Sequence, residues 1–286
     1  MFKKTLITIA TIAWLCLSAF AQAKQGTHGY ASVNGLNMYY EVHGAGQPLV
    51  LLHGGGSTIE ITFGRVLPSL AKNRRVIAVE LQGHGHTADI DRPLTFEQDA
   101  DDVAALLRHL KIEKADFFGF SNGGSTALQM GIRHPDLVRK LIVASAMYKR
   151  DGLNPEFWDF MSRATLQNMP IELKDAYLRV APDPKNLPIL HDKCVKRMLE
   201  FKDWPDEEIR SINAPTLVII GDADVVRPEH AVEMFHLLPH SQLAVLPGGH
   251  GTYIGEATAA KKGSKLPNLV ISMIEEFLDA PMPETK

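Results

Sequence analysis

Apolar residues along the chain fall into short, nearly unbroken runs separated by stretches with helical spacing. Residues 49–52, 76–79, 117–118, 141–143, 217–220 and 243–246 are aliphatic, β-branched or aromatic throughout. Continuous rather than alternating apolar character predicts strands covered on both faces, the habit of parallel sheets. Between these runs the spacing predicts helices over residues 95–110, 123–133, 229–238 and 269–278. In the first, Thr95 followed by Gln98 has the form of a capping box. Phe96, Ala100, Val103, Leu107 and Leu110 recur at the period that would turn one face to the sheet. Residues 39–42 and those before them read as an antiparallel hairpin at an edge. Strand and helix alternating in this way predict an α/β, doubly wound, mostly parallel sheet.

One stretch breaks the rhythm. Residues 148–213 carry no core-like strand but helical text with prolines and large side chains, among them Phe157, Trp158, Phe160, Met161, Met169 and Trp204. The expected organisation is a core of residues 24–147 and 214–286 with a helical cap of residues 148–213 over the carboxyl edge of the sheet, where open α/β sheets bind ligands.

The first residues change the picture of where the chain works. Lys3 and Lys4 precede an apolar run at residues 6–20, and Ala21-Gln22-Ala23 has the small-x-small form of a cleavage site. A signal peptide cleaved after Ala23 is expected, with a periplasmic or secreted product and no stable membrane insertion afterwards. Cys16 leaves with that leader, so Cys194 stands alone and reads as a bystander without a disulfide partner. The composition, 45% hydrophobic and 22% charged, is that of a globular protein. A net charge of -3 with no clustered basic face excludes nucleic acid as the expected partner and leaves a small-molecule substrate.

The chemistry is concentrated just past the strand ends. Gly119-Phe120-Ser121-Asn122-Gly123 fits G-x-S-x-G, a nucleophile elbow in which a serine occupies a strained turn between strand and helix. A serine nucleophile needs a base and a carboxylate to orient that base, and on this architecture they follow in the order acid, then histidine. Gly221-Asp222-Ala223-Asp224 follows one predicted strand, and Pro247-Gly248-Gly249-His250-Gly251 follows the next. His250 is the candidate general base. Asp222 and Asp224 compete as the acid. Asp224 is favoured because it lies further out on the loop before Pro228, which leaves Asp222 to brace the turn. His53-Gly54-Gly55-Gly56 follows the strand at 49–52, so the N–H groups of Gly55 and Asn122 are the candidate oxyanion hole. A phosphate-cradling loop would need a Gly-Lys-Ser/Thr ending that is missing. His53, His84 and His86 suggest zinc only with further ligands at metal spacing, and a structural loop fits them better.

These motifs, with Gln82-Gly83-His84-Gly85, run from residue 53 to residue 250. On them the chain resembles the α/β-hydrolase fold superfamily, in its capped, esterase-like serine hydrolase branch. Glu80 and Gln82 depart from that family's Asp-x-Arg-Gly-x-Gly loop, which is usually structural. The resemblance implies hydrolysis without metal or organic cofactor. The expected activity is cleavage of small apolar or aryl carboxylic esters or lactones through an acyl-enzyme. Carbon–carbon bond hydrolysis, aminopeptidase action, and ligand binding with little turnover remain alternatives. An aminopeptidase would need an acidic clamp, for which Glu156, Glu172, Asp175 and Asp183 are available.

Overall fold

The computed structural model describes residues 26–282. The expected signal peptide lies outside the described residues. The chain begins with β1 (Thr27–Val33) and β2 (Leu36–His43), an antiparallel hairpin closed by Asn34 and Gly35 at φ of 48° and 82°. Positive φ at both positions matches the twist of the flanking strands. β2 then pairs antiparallel with β4 (Arg74–Val79), and from there every neighbour is parallel. β3 (Gln47–Leu52), β5 (Ala115–Phe120), β6 (Val138–Ala144), β7 (Thr216–Gly221) and β8 (Ser241–Leu246) complete an eight-stranded sheet in the order β1-β2-β4-β3-β5-β6-β7-β8.

Strand alternation divides the core into two layers and explains the unbroken apolar runs. Val50, Leu52, Ile77, Val79, Val218 and Ile220 point to one face, packed by α3 (Phe96–His109), α4 (Asn122–Arg133) and α9 (Pro228–Leu237). Leu49, Leu51, Val76, Ala78, Leu217 and Ile219 point to the other, covered by α1 (Ile59–Phe63), α2 (Leu67–Leu70) and α10 (Leu266–Asp279). Both sets are buried because a parallel sheet has helices on both sides. β8 departs from the expectation: it forms the sheet edge, and Val245 is 47% exposed. α1 and α2 escaped the sequence reading because five and four residues are too short to show a helical period.

α3 starts as expected, with the Thr95 hydroxyl accepting the Gln98 N–H at 3.1 Å. The reciprocal half of the capping box does not form. Gln98 Nε2 donates instead to Asp102 Oδ1 at 2.9 Å, which also takes the Asn34 side chain at 2.9 Å, while the Arg92 guanidinium spans both oxygens of that carboxylate. Arg92 further donates to Gln82, so its cation stands beside the glutamine that replaces the family's arginine. At the opposite end of the sheet the buried Lys140 donates to the carbonyls of Phe277, Leu278 and Ala280, satisfying the end of α10.

Between β6 and β7 the chain runs through α5 (Pro155–Ser162), α6 (Ile171–Val180), α7 (Leu187–Leu199) and α8 (Asp206–Arg210). This segment is tied to the sheet layer by ion pairs and aromatics. Arg197 reaches Asp99 at 2.7 Å, and Lys193 reaches Asp89 at 2.6 Å. Phe201 and Trp204 meet the Phe96 ring edge-on, each at 5.8 Å. Among the described residues no helix is long and apolar enough to cross a membrane.

His230, on α9, illustrates the cost of a buried base. Its ring stacks on Tyr148 at 4.5 Å and accepts the Tyr148 N–H at 3.2 Å. Burial drives its pKa down from 6.5 to about 4, against the pull of Glu233 and Asp151. The native ring therefore stays neutral where the unfolded chain takes up a proton, so this residue's contribution to stability is lost as pH falls from 6.5 to about 4. His230→Gln keeps an acceptor for Tyr148 and does not titrate. Its urea midpoint should lie below wild type at pH 7, and the gap should narrow on acidification through that window. A gap that stays constant with pH would contradict this account.

Candidate active site

The turn between β5 and α4 leaves no room for side chains on either side of its serine. Ser121 sits at φ 55° and ψ -122°, a conformation costly for an L residue. A Cβ on Gly119 would lie 2.0 Å from the Gly123 carbonyl oxygen, and one on Gly123 would lie 2.0 Å from that of Leu52. Both glycines of the motif are therefore required by backbone approaching backbone. The Ser121 carbonyl accepts the N–H groups of Gly124 and Ser125, at 2.8 and 3.1 Å. Among the described residues the Asn122 N–H, first of the helix, has no acceptor.

A second free donor lies across from it, after β3. The Gly54 N–H goes to Thr62 Oγ1 at 3.3 Å, and the Gly56 N–H goes to His84 Nε2 at 3.0 Å. Among the described residues the Gly55 N–H has no acceptor, and a Cβ on Gly55 would stand 2.2 Å from the Asn122 side-chain amide. The histidines that suggested zinc are occupied with backbone. His53 meets the Gly54 carbonyl and the Leu81 N–H, at 2.7 and 3.1 Å, and His84 also meets the Gln82 carbonyl at 2.8 Å. Burial, then the neighbouring His53 and Arg197, holds His84 well below the ordinary imidazole range. The ring is neutral, with Nδ1–H donating to Gln82 and Nε2 accepting from Gly56. His86 ring and backbone N–H both turn to the Glu80 carboxylate, at 2.8 and 2.6 Å.

The loops after β7 and β8 bring acid and base together. His250 Nδ1 lies 2.7 Å from Asp224 Oδ1, which also accepts the Val226 N–H at 3.1 Å. Asp222 is held elsewhere, accepting the Gly248 N–H at 2.8 Å, the brace expected of it. Asp224 is buried, and burial alone would raise its carboxyl. The charge and hydrogen bond of His250, with bonds from Ser145 and Val226, outweigh burial and hold Asp224 below its ordinary range. Its loop is also pinned by the inserted segment, since Asn154 donates to the Asp224 carbonyl at 3.0 Å. The Phe120 ring lies 4.7 Å from the His250 ring.

Ser121, His250, Gly55 and Asn122 line one cavity of about 410 Å³, within the range of small-ligand pockets. Its walls are apolar, with Met147, Leu153, Phe157, Met161, Met169 and Met198 contributing from β6's exit and the inserted helices. Cys194 is part of this lining, and burial pushes its thiol up, which keeps it protonated. The four acids considered for an amine clamp do not reach it: Glu156, Glu172, Asp175 and Asp183 are all exposed and outside the lining. An aminopeptidase clamp from those residues is thereby set aside.

Three groups near the site were invisible in the sequence reading. Ser145 Oγ donates to Asp224 Oδ2 at 2.5 Å, and Tyr253 Oη meets Ser145 Oγ at 2.7 Å. Arg197 is buried with Nη1 on Asp99, while Nε and Nη2 have no partner among the described residues. Its Nη2 would stand 3.8 Å from a Cβ on Gly55, although Arg197 itself does not line the cavity. Burial pushes Asp99 up to about 6 despite that arginine. No local pattern marks these residues, because each depends on partners far away in sequence.

Asp224→Asn, which disturbs the tautomer of His250, should lower turnover of an activated ester by about 10⁴-fold at neutral pH. Asp222→Asn keeps an acceptor for Gly248 and should stay within about threefold of wild type, given the small worth of one neutral hydrogen bond. Equal losses in the two variants would contradict the assignment of the acid.

Comparisons with known proteins bear on the family and the fold. Residues 47–189 match the family described as alpha/beta hydrolase fold. The 2-hydroxymuconate semialdehyde hydrolase of Pseudomonas sp. (strain CF600) is 41% identical over 240 residues, covering 75% of this chain and 84% of that one. The human serine hydrolase BPHL is 29% identical over 239 residues, covering 78% of this chain and 79% of that protein. Among solved structures, the enol-lactonase from Burkholderia xenovorans LB400 superposes with a TM-score of 0.68 at 24% identity, over 88% of this chain and 100% of that one.

Proposed function

Because the chain belongs to the alpha/beta hydrolase fold family and is a hydrolase by its relatives, we propose that Ser121, His250 and Asp224 are its catalytic triad and that it cleaves small carboxylic esters or lactones. The observation that carries this reading is one apolar cavity holding the serine, the carboxylate-bound imidazole and two free backbone N–H groups. Ser121 Oγ attacks the carbonyl carbon while His250 Nε2 takes its proton. The Gly55 and Asn122 N–H groups receive the charge that develops on the carbonyl oxygen. Asp224 holds the proton on Nδ1 and stabilises the imidazolium. His250 then protonates the departing oxygen, leaving an acyl group on Ser121. Water, deprotonated by His250, attacks that acyl group, and the serine leaves with the proton.

The inserted helices act as a cap whose methionines and phenylalanines accept an apolar or aryl portion of the substrate. The leader-like pattern at residues 1–23 supports export, so that the reaction takes place in the periplasm or outside the cell.

A second reading has specific support. The relative at 41% identity is named a 2-hydroxymuconate semialdehyde hydrolase, and Arg197 is a buried cation with unpartnered nitrogens, its Nη2 3.8 Å from where a Cβ on Gly55 would stand. A carboxylate-bearing dicarbonyl, cleaved at the carbon–carbon bond beside its carbonyl, suits that arrangement.

Three substrates in parallel separate the readings: p-nitrophenyl butyrate, an enol-lactone, and 2-hydroxymuconate semialdehyde, each with wild type and Ser121→Ala. The ester or lactone should give the highest kcat/KM, with all turnover abolished in Ser121→Ala. Preference for the semialdehyde by more than about tenfold would establish the second reading instead. No turnover of any by wild type would contradict both.

A further inference from the structure

The residue that follows β6 is held in a conformation that nothing in sheet formation requires. Ser145 has φ of 49°, the left-handed region in which glycine is at ease and serine is not. Its N–H continues the sheet by donating to the Ile219 carbonyl at 2.8 Å, so the backbone interaction is available to any residue. What only serine adds is a hydroxyl, and both of its hydrogen-bonding capacities are used.

Proton direction in this chain follows from the acceptor at its end. An ionised carboxylate has no hydrogen to give, so Ser145 Oγ must donate to Asp224 Oδ2, at 2.5 Å. With its one hydrogen committed, Ser145 can only accept from Tyr253, so the Tyr253 Oη donates at 2.7 Å. Tyr253 is fully buried. Burial and the nearby Asp224 charge push its phenol further up, which keeps the donor protonated. The other oxygen of Asp224 takes the Val226 N–H and His250 Nδ1. Donors on both oxygens therefore fix the rotation of the carboxylate and aim Oδ1 at the imidazole.

We propose that Ser145 is a positioning residue for hydrolysis: supported by Tyr253, its hydroxyl locks the Asp224 carboxylate in the orientation that holds the His250 ring toward Ser121. The inference rests on the triad reading above. Strain at Ser145 is tolerated because a glycine there would leave Oδ2 without its donor, and strained residues of this kind gather at active sites. The titratable groups facing Asp224 are His250 and Tyr253, and Glu256 stands near His250.

Ser145→Gly is the informative variant, because it relieves the backbone strain while removing the hydroxyl. It should melt close to wild type, the relieved strain offsetting the hydrogen bonds that Asp224 and Tyr253 lose. Its kcat should fall by about tenfold or more, the worth of one hydrogen bond to a charged group, with KM within about twofold. The acid limb of its kcat/KM profile should move to higher pH, since a carboxylate relieved of one donor holds the imidazole proton more strongly. Tyr253→Phe leaves the Ser145 bond in place and should show a smaller loss in the same direction. Ser145→Gly with wild-type kcat and acid limb would overturn the proposal, as would a loss of activity that merely tracks a loss of melting temperature. Wild type and Ser121→Ala run alongside. If Ser121→Ala retains turnover, the triad reading fails and takes this inference with it, a result distinct from a fully active Ser145→Gly.

Discussion

The Leu52 carbonyl oxygen occupies the space that any side chain at position 123 would need. That approach of β3 to the first turn of α4, with the matching approach of Gly119 to Gly123, forces the chain through a turn only a few residues wide. Ser121 is lifted out of the sheet, and among the described residues the Asn122 N–H at the start of α4 is left free beside the cavity. Because β3, β5, β7 and β8 are parallel, their ends lie on one edge, and the loops carrying Gly55 and His250 line one cavity with that serine, with Asp224 bonded to His250. The geometry of the site is a consequence of strand direction and of two missing side chains.

Parts of this were legible in the sequence because they rest on local signals. The strands announced themselves as unbroken apolar runs, since alternate residues enter two different core layers. The glycines around Ser121 mark backbone proximity, and the loops after β7 and β8 carry few residues capable of acid–base work. Position on the loop favoured Asp224 over Asp222 without deciding between them, and in the structure His250 meets Asp224 while Asp222 accepts from Gly248. What stayed hidden depends on pairs distant in the chain. Ser145 meets a partner 79 residues away and another 108 away, and Arg197 meets Asp99 across 98 residues. The replacement of the family's arginine by Gln82 likewise makes sense only once Arg92 is seen beside it. An edge strand such as β8 also reads like an interior one when only its own residues are considered.

The fold by itself dictates no reaction, and the inserted segment supplies much of the cavity wall. Its attachment is mostly ionic and aromatic, through Lys193, Arg197, Phe201 and Trp204, while its inward residues are methionines and phenylalanines. Polarity is therefore concentrated where the segment is anchored and at the reacting groups, and the wall between them is apolar. Arg197 is the exception, a buried cation outside the cavity lining whose Nη2 would stand 3.8 Å from a Cβ on Gly55.

The central claim is that Ser121 is a nucleophile activated by an assembled triad. Intact mass of the protein after reaction with a fluorophosphonate probe tests it without any choice of substrate. Wild type should gain one adduct, and Ser121→Ala and His250→Ala should gain none on the same timescale. A wild type that stays unlabelled, or an adduct that persists in Ser121→Ala, would contradict the account.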